Sequence, residues 1–244
     1  MKRFLSTAAA ILVAFSLAGC NAPKEEPADP GPEAQTLSYA GKTAAFVGDS
    51  ITNGAQLNAG DLRYWEVLAS KLQLGEVTGM GVNGSCYSTK SEFGMDHEPL
   101  ATRYQKIPQA DLIFIFLGTN DFGRSTPMGT MEDTEDVSFY GAMNMILTKL
   151  ETQCPNSRII LLTPIVRYDK STNNLGLKQS EYIDAIKAVA AQRGLILIDT
   201  YELTRQQLTQ GLFADTVHPD KYGHQVLAEA LETWLQENIE TVLK

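Results

Sequence analysis

Ser50 stands in Gly48-Asp49-Ser50-Ile51-Thr52, and far along the chain Asp215 precedes His218 by three residues in Asp215-Thr216-Val217-His218-Pro219. A serine hydroxyl is a poor nucleophile near neutral pH and needs a neighbouring base. An imidazole suits that role because its ordinary pKa is about 6.5. A carboxylate on the same loop can accept a hydrogen bond from Nδ1, leaving Nε2 to take the Ser50 proton. Pro219 biases His218 away from helical geometry, which keeps the pair in an extended loop ahead of the last helix. Gly81-Val82-Asn83-Gly84-Ser85 and Gly118-Thr119-Asn120-Asp121 add groups suited to holding negative charge. Each segment alone is also an ordinary strand exit, turn or helix cap. Their occurrence together and in order points to nucleophilic chemistry.

Something must bring these loops to one place. Short apolar runs at Ala44 to Val47, Val77 to Gly81, Leu112 to Leu117, Ile159 to Leu162 and Leu195 to Ile198 predict five parallel strands buried on both faces. Apolar residues at helical spacing predict helices through Leu62, Trp65, Leu68, Ala69 and Leu72, through Ile183, Ile186 and Val189, and from Val226 to Leu235. Right-handed crossovers then give a three-layer α/β/α domain around a five-stranded parallel sheet. In such open sheets ligands bind beyond the carboxyl ends of the strands. All four loops follow strands, so a nucleophile, two sets of oxyanion donors and an acid–base pair would face one edge.

In these four blocks the chain resembles the SGNH hydrolase superfamily, also called the GDSL esterase and lipase family. The resemblance spans essentially the whole globular region, with Ile51 where the family name has Leu. It implies a flavodoxin-like sheet and a serine esterase without metal or cofactor, with Ser50 as nucleophile, His218 as base and Asp215 as its orienting carboxylate. The backbone N–H groups of Ser50 and Gly84 and the side-chain amide of Asn120 are the implied oxyanion donors, with Gly81 the competing glycine. Asp49 and Asp121 are expected to hydrogen-bond the loops. Thr163 to Tyr168 and Phe122 to Pro127 should border the same edge, which makes Arg124, Arg167 and Tyr168 candidate substrate contacts; loop solvation explains them equally well. Neither segment contains a long apolar lid, which favours short acyl groups, and an O-acetylated glycan is the expected substrate by analogy with carbohydrate esterases of the superfamily. A lysophospholipase or acyl-thioesterase, an acyltransferase, and a glycan-binding lipoprotein without turnover remain as alternatives.

The 244 residues carry 20 Lys and Arg against 29 Asp and Glu, a formal charge of −9, so no broad basic surface exists to neutralise nucleic-acid phosphates. With three cysteines and no paired metal-ligand spacing, neither a disulfide scaffold nor a zinc core is indicated. Lys2 and Arg3 precede an apolar run from Phe4 to Leu17 that ends in Leu17-Ala18-Gly19-Cys20. This looks like a bacterial lipobox, so residues 1–19 are read as a lipoprotein signal peptide and Cys20 as a lipidated anchor to a membrane of the cell envelope, periplasmic or cell-surface. The Pro-rich stretch 20–40 reads as a flexible tether, and 41–244 as the hydrolase domain. Oligomeric state is left open. His97 is read as a surface residue and His224 as structural. The acidic cluster Glu132, Asp133, Glu135 and Asp136 reads as a solvated loop rather than a calcium site, and Cys86 and Cys154 as buried free thiols, with a bridge still open.

Overall fold

Side chains alternate across a strand, so a strand buried on both faces must feed two cores. Strands β1 (Ala44–Gly48) and β3 (Leu112–Phe116) are buried at every position. The computed structural model describes residues 37–92 and 97–244. The expectations for residues 1–36, including the signal peptide and Cys20, lie outside the described residues. With β2 (Val77–Gly81), β4 (Arg158–Leu162) and β5 (Ile196–Ile198), the strands form one parallel sheet in the order β2-β1-β3-β4-β5.

One face carries Ala45, Val47, Ile113, Ile115 and Leu161 against α5 (Phe139–Gln153) and α6 (Gln179–Arg193). The other carries Phe46, Phe114, Phe116 and Leu162 against α2 (Tyr64–Leu72) and α8 (Lys221–Glu237). On that face Phe46 stacks between Phe114 and Trp65, with ring centroids 4.7 and 5.7 Å away. Each such buried aromatic removes enough apolar surface from water to contribute ~2–3 kcal/mol.

Two boundaries and one element differ from the sequence expectation. Leu62 is 56% exposed and precedes α2, because the Glu66 carboxylate accepts from the Arg63 backbone N–H at 2.8 Å and pairs with its guanidinium, which starts the helix at Tyr64. Ordered packing begins before residue 41: Tyr39 is buried, and its hydroxyl donates to the Leu235 carbonyl at 2.8 Å. α5, not anticipated, supplies Ala142, Met143, Ile146, Leu147 and Leu150 to the core.

α8 returns from the β5 edge to dock on α2 near β1. There the fully buried His224 accepts from the Tyr64 N–H at Nδ1 (3.1 Å) and stacks on the Tyr64 ring. Burial pushes His224 down to about 4. Below its ordinary pKa the unfolded chain takes up a proton that the folded chain refuses. The stability His224 contributes is therefore complete above about pH 6.5 and is lost as pH falls towards 4, by up to ~3 kcal/mol. Thermal melts at pH 7 and pH 5 should show a smaller acid-induced drop in His224→Gln than in wild type. An equal drop would assign the acid sensitivity elsewhere. The comparison with the variant is needed because Asp49 and Asp121, both raised by burial, act in the opposite sense.

Candidate active site

β1 and β3 are neighbours from which the chain crosses to opposite sides of the sheet, the topological switch point of an open α/β fold. Ser50 follows β1 as the first residue of the short helix α1 (Ser50–Asn53), and Asn120 follows β3 in α4 (Thr119–Gly123). Asp49 caps α1, its Oδ1 accepting from the Ile51 N–H at 2.9 Å. Burial raises the Asp49 carboxyl to about 6, against the lowering effect of that hydrogen bond and of His218, Arg167 and Arg103.

His218 reaches Ser50 from the opposite end of the chain. Its Nε2 lies 2.8 Å from Ser50 Oγ, and its Nδ1 lies 2.7 Å from Asp215 Oδ2. Asp215 Oδ1 accepts from the N–H groups of Val217 and His218, each at 2.7 Å, so one carboxylate both shapes the loop and orients the ring. Partial burial pushes the Asp215 carboxyl up, but the hydrogen bonds from the His218 ring and from the His218 and Val217 amides together hold it below its ordinary value. The loop is closed by a bridge between Phe213 and Pro219 and by the Ala214 N–H donating to the His218 carbonyl. Asp220 then caps α8 through the Tyr222 and Gly223 amides. An imidazole held this way can take a proton from Ser50 at one nitrogen while the carboxylate stabilises the charge at the other.

Gly84 occupies the third position of a turn closed by the Ser85 N–H donating to the Val82 carbonyl, with φ +76°, a conformation that favours glycine. Among the described residues, nothing accepts from the N–H of Ser50 or of Gly84. Gly81 serves packing instead, since a Cβ there would fall 2.1 Å from the Asn53 amide, and its bareness lets β2 lie against α1. Asn120 Nδ2 donates to the Ser85 carbonyl at 3.1 Å, one of its two amide hydrogens. Asp121, fully buried and raised to about 7 by that burial, accepts from the Tyr87 N–H at 3.0 and 3.1 Å. α4 thus holds the Gly84 loop by two adjacent side chains. If the remaining Asn120 hydrogen serves an oxyanion, Asn120→Ala lowers kcat by ~100-fold or more, the loss of one preorganised donor. A wild-type kcat in that variant would remove Asn120 from the oxyanion hole.

The three candidate substrate contacts separate. Arg124 lies against Gly84, where an added Cβ would meet its Nη2 at 2.3 Å and the His97 ring at 2.9 Å. His97, expected at the surface, is therefore part of the wall beside the site. Arg167 has an 8% exposed side chain, a bidentate pair with Asp169 (both 2.6 Å), a bond to the Thr119 carbonyl, and the Phe122 ring beneath it. Tyr168 donates its hydroxyl to the Leu208 carbonyl at 2.7 Å. Both brace the loop after β4 against its neighbours. Asp133 of the acidic cluster is likewise committed, to Thr130 and Ser138, and no cluster of metal-ligating side chains occurs among the described residues. Cys86 and Cys154 are buried free thiols. Arg103, which contacts both sides of the site, gave no signal in sequence: a lone arginine in Leu100-Ala101-Thr102-Arg103-Tyr104 reads as the wet side of a short helix.

The model of the GDSL-like lipase/acylhydrolase family matches residues 46–226, a span that contains all four loops. The chain belongs to the GDSL-like lipase/acylhydrolase family. Membership makes this GDSL-like protein a serine ester hydrolase. It is similar to a protein of solved structure from Lactobacillus plantarum, with 31% identity and a TM-score of 0.71 over 81% of this chain and 98% of that one. It shares its fold with a possible lipase from Chitinophaga pinensis (20% identity, TM-score 0.64, 83% and 100% covered). It also shares it with a catalytic mutant of an acetylxylan esterase from Geobacillus stearothermophilus (19% identity, TM-score 0.58, 83% and 96% covered). No curated protein matches the GDSL-like chain.

Proposed function

We propose that the protein hydrolyses short-chain acyl esters, O-acetyl groups of carbohydrates above all, through a covalent acyl-enzyme on Ser50. The observation that carries the chemistry is the line of contacts from Ser50 Oγ to His218 Nε2 (2.8 Å) and from His218 Nδ1 to Asp215 (2.7 Å). Ser50 Oγ adds to the acyl carbon as His218 takes its proton. The oxyanion is held by the N–H groups of Ser50 and Gly84 and by Asn120 Nδ2. Collapse expels the alcohol, which receives the proton from His218. Water then enters with His218 again as base, and the carboxylic acid leaves with Ser50 restored.

Two features support the substrate class. Among the described residues, the Gly84 loop is flanked by the polar side chains of His97 and Arg124, suited to a hydroxylated group rather than to a long alkyl chain. The loop leaving α1 forms an open cleft of about 300 Å³ lined by Asn53, Asn58, Asp61 and Arg63, with Leu57 and three small residues between them. Asn53 lies one turn after Ser50 and donates to Asn83, beside Gly84, so this hydrogen-bonding surface adjoins the nucleophile where a hydroxylated alcohol would lie. An anchor at Cys20 would hold the site outside the cytoplasm, within reach of polymers.

para-Nitrophenyl esters from acetyl to palmitoyl, assayed with wild type beside Ser50→Ala, test this reading. Serine-dependent cleavage should fall sharply beyond butyryl, and acetate should be released from acetylated xylan or pectin. A maximum at long chains would replace it with a lipid substrate.

A further inference from the structure

Arg103 ends α3 (Leu100–Arg103) and is only 3% exposed. Its Nε donates to the Glu98 carbonyl (3.1 Å) and its Nη1 to the Met80 carbonyl in β2 (3.1 Å). Nη2 donates both to the Gly48 carbonyl at the end of β1 (2.8 Å) and to Ser85 Oγ (3.1 Å). All four acceptors are neutral. Ser85 Oγ passes its own hydrogen to the Glu98 carbonyl at 3.0 Å, which closes the network. Burying a guanidinium against neutral acceptors forfeits its hydration with no direct ion pair in return. Burial also lowers Arg103 to about 10, with Glu98 and Asp49 acting against that shift, so it stays charged at neutral pH.

The acceptors show what this costly group accomplishes. Gly48 precedes Ser50 by two residues, and Ser85 follows Gly84. Nη2 therefore ties, through one atom, the strand that ends at the nucleophile to the turn that presents the Gly84 N–H. We infer that Arg103 is a positioning residue for ester cleavage, locking the Ser50 and Gly84 donors in register so that both point at one developing oxyanion. The inference rests on the oxyanion-hole reading above. Donors of this kind act only when fixed in advance. A lysine keeps the charge but offers one compact ammonium where Arg103 offers a planar fork.

The test measures kcat, KM and inhibition by an alkylboronic acid for wild type, Arg103→Lys, Arg103→Gln and Ser85→Ala. The tetrahedral boronate on a catalytic serine places an oxygen in the oxyanion hole. Arg103→Lys and Arg103→Gln should lose ~10- to 100-fold in kcat with KM nearly unchanged, as a small misplacement of reacting groups does. Their boronate inhibition constants should rise in parallel, and lysine should retain more activity than glutamine. Ser85→Ala should show a smaller loss of the same kind. A folded Arg103→Lys with wild-type kcat and boronate affinity, whatever its melting temperature, overturns the inference. If neither Arg103 variant folds, Ser85→Ala decides alone, and wild-type kcat and boronate affinity there overturn it. Absence of Ser50-dependent cleavage in wild type would instead sink the underlying esterase reading.

Discussion

Ser50→Ala is expected to lower ester turnover by a factor on the order of 10⁴ or more while leaving the circular dichroism spectrum and melting temperature close to wild type. The hydroxyl is the only atom lost, and its contact is with His218 at the rim of the sheet rather than with the core. His218→Ala should lose a similar factor, because without a base the hydroxyl is not activated. The double variant should be no worse than either single one. Nucleophile and base act as a unit, and their removal is not additive. A Ser50→Ala protein retaining a tenth of wild-type activity, with contamination excluded, would place the nucleophile elsewhere.

Asp215→Asn is expected to cost ~10³- to 10⁴-fold in kcat, with a structure nearly unchanged. The argument runs through hydrogen-bond direction. An asparagine oxygen in place of Oδ1 can still accept from the Val217 and His218 amides, so the loop keeps its shape. The amide nitrogen then replaces Oδ2 and donates to His218 Nδ1, where the carboxylate accepts. That forces the imidazole proton onto Nε2, the atom that must be bare to take the proton of Ser50. The base keeps its place and loses its tautomer. Asp215→Ala removes the loop contacts as well and should lower the melting temperature in addition. Wild-type kcat in a folded Asp215→Asn would assign orientation of His218 to another group.

What the sequence disclosed was local. Asp215 and His218 are three residues apart, and Gly-Asp-Ser, Gly-Thr-Asn-Asp and the strands before them are contiguous patterns whose topology brings them to one edge. Short apolar runs placed five strands to within a residue or two, although only β1 and β3 are buried throughout and no residue of the edge strand β2 is buried. Helical periodicity failed at Leu62, whose spacing fits α2 but whose position precedes the cap. α5 is written in the same code: Ala142, Met143, Ile146, Leu147 and Leu150 keep helical spacing as well as any segment. The remaining gaps are long-range contacts. Nothing local distinguishes Arg103 or His97 from surface residues, since Gly48, Met80 and Ser85 against Arg103, and Gly84 against His97, come from elsewhere in the chain. The partners of Arg167 and Tyr168 were not legible either: Asp169, Thr119 and Leu208 hold their side chains near the edge.

The contact between His218 and Ser50 spans 168 residues. On the proposed mechanism, Ser50, Gly84 and Asn120 are therefore synthesised long before His218, and a nascent chain stopped short of His218 is expected to lack esterase activity. The sheet itself does not await the base: β5 ends at Ile198, before the loop that carries it. Activity thus becomes a report that the chain has been made through His218 and that α8, which follows it, has packed on α2. Ester cleavage measured on stalled or truncated chains should appear as a step once His218 and α8 are present, with no gradual rise along the chain.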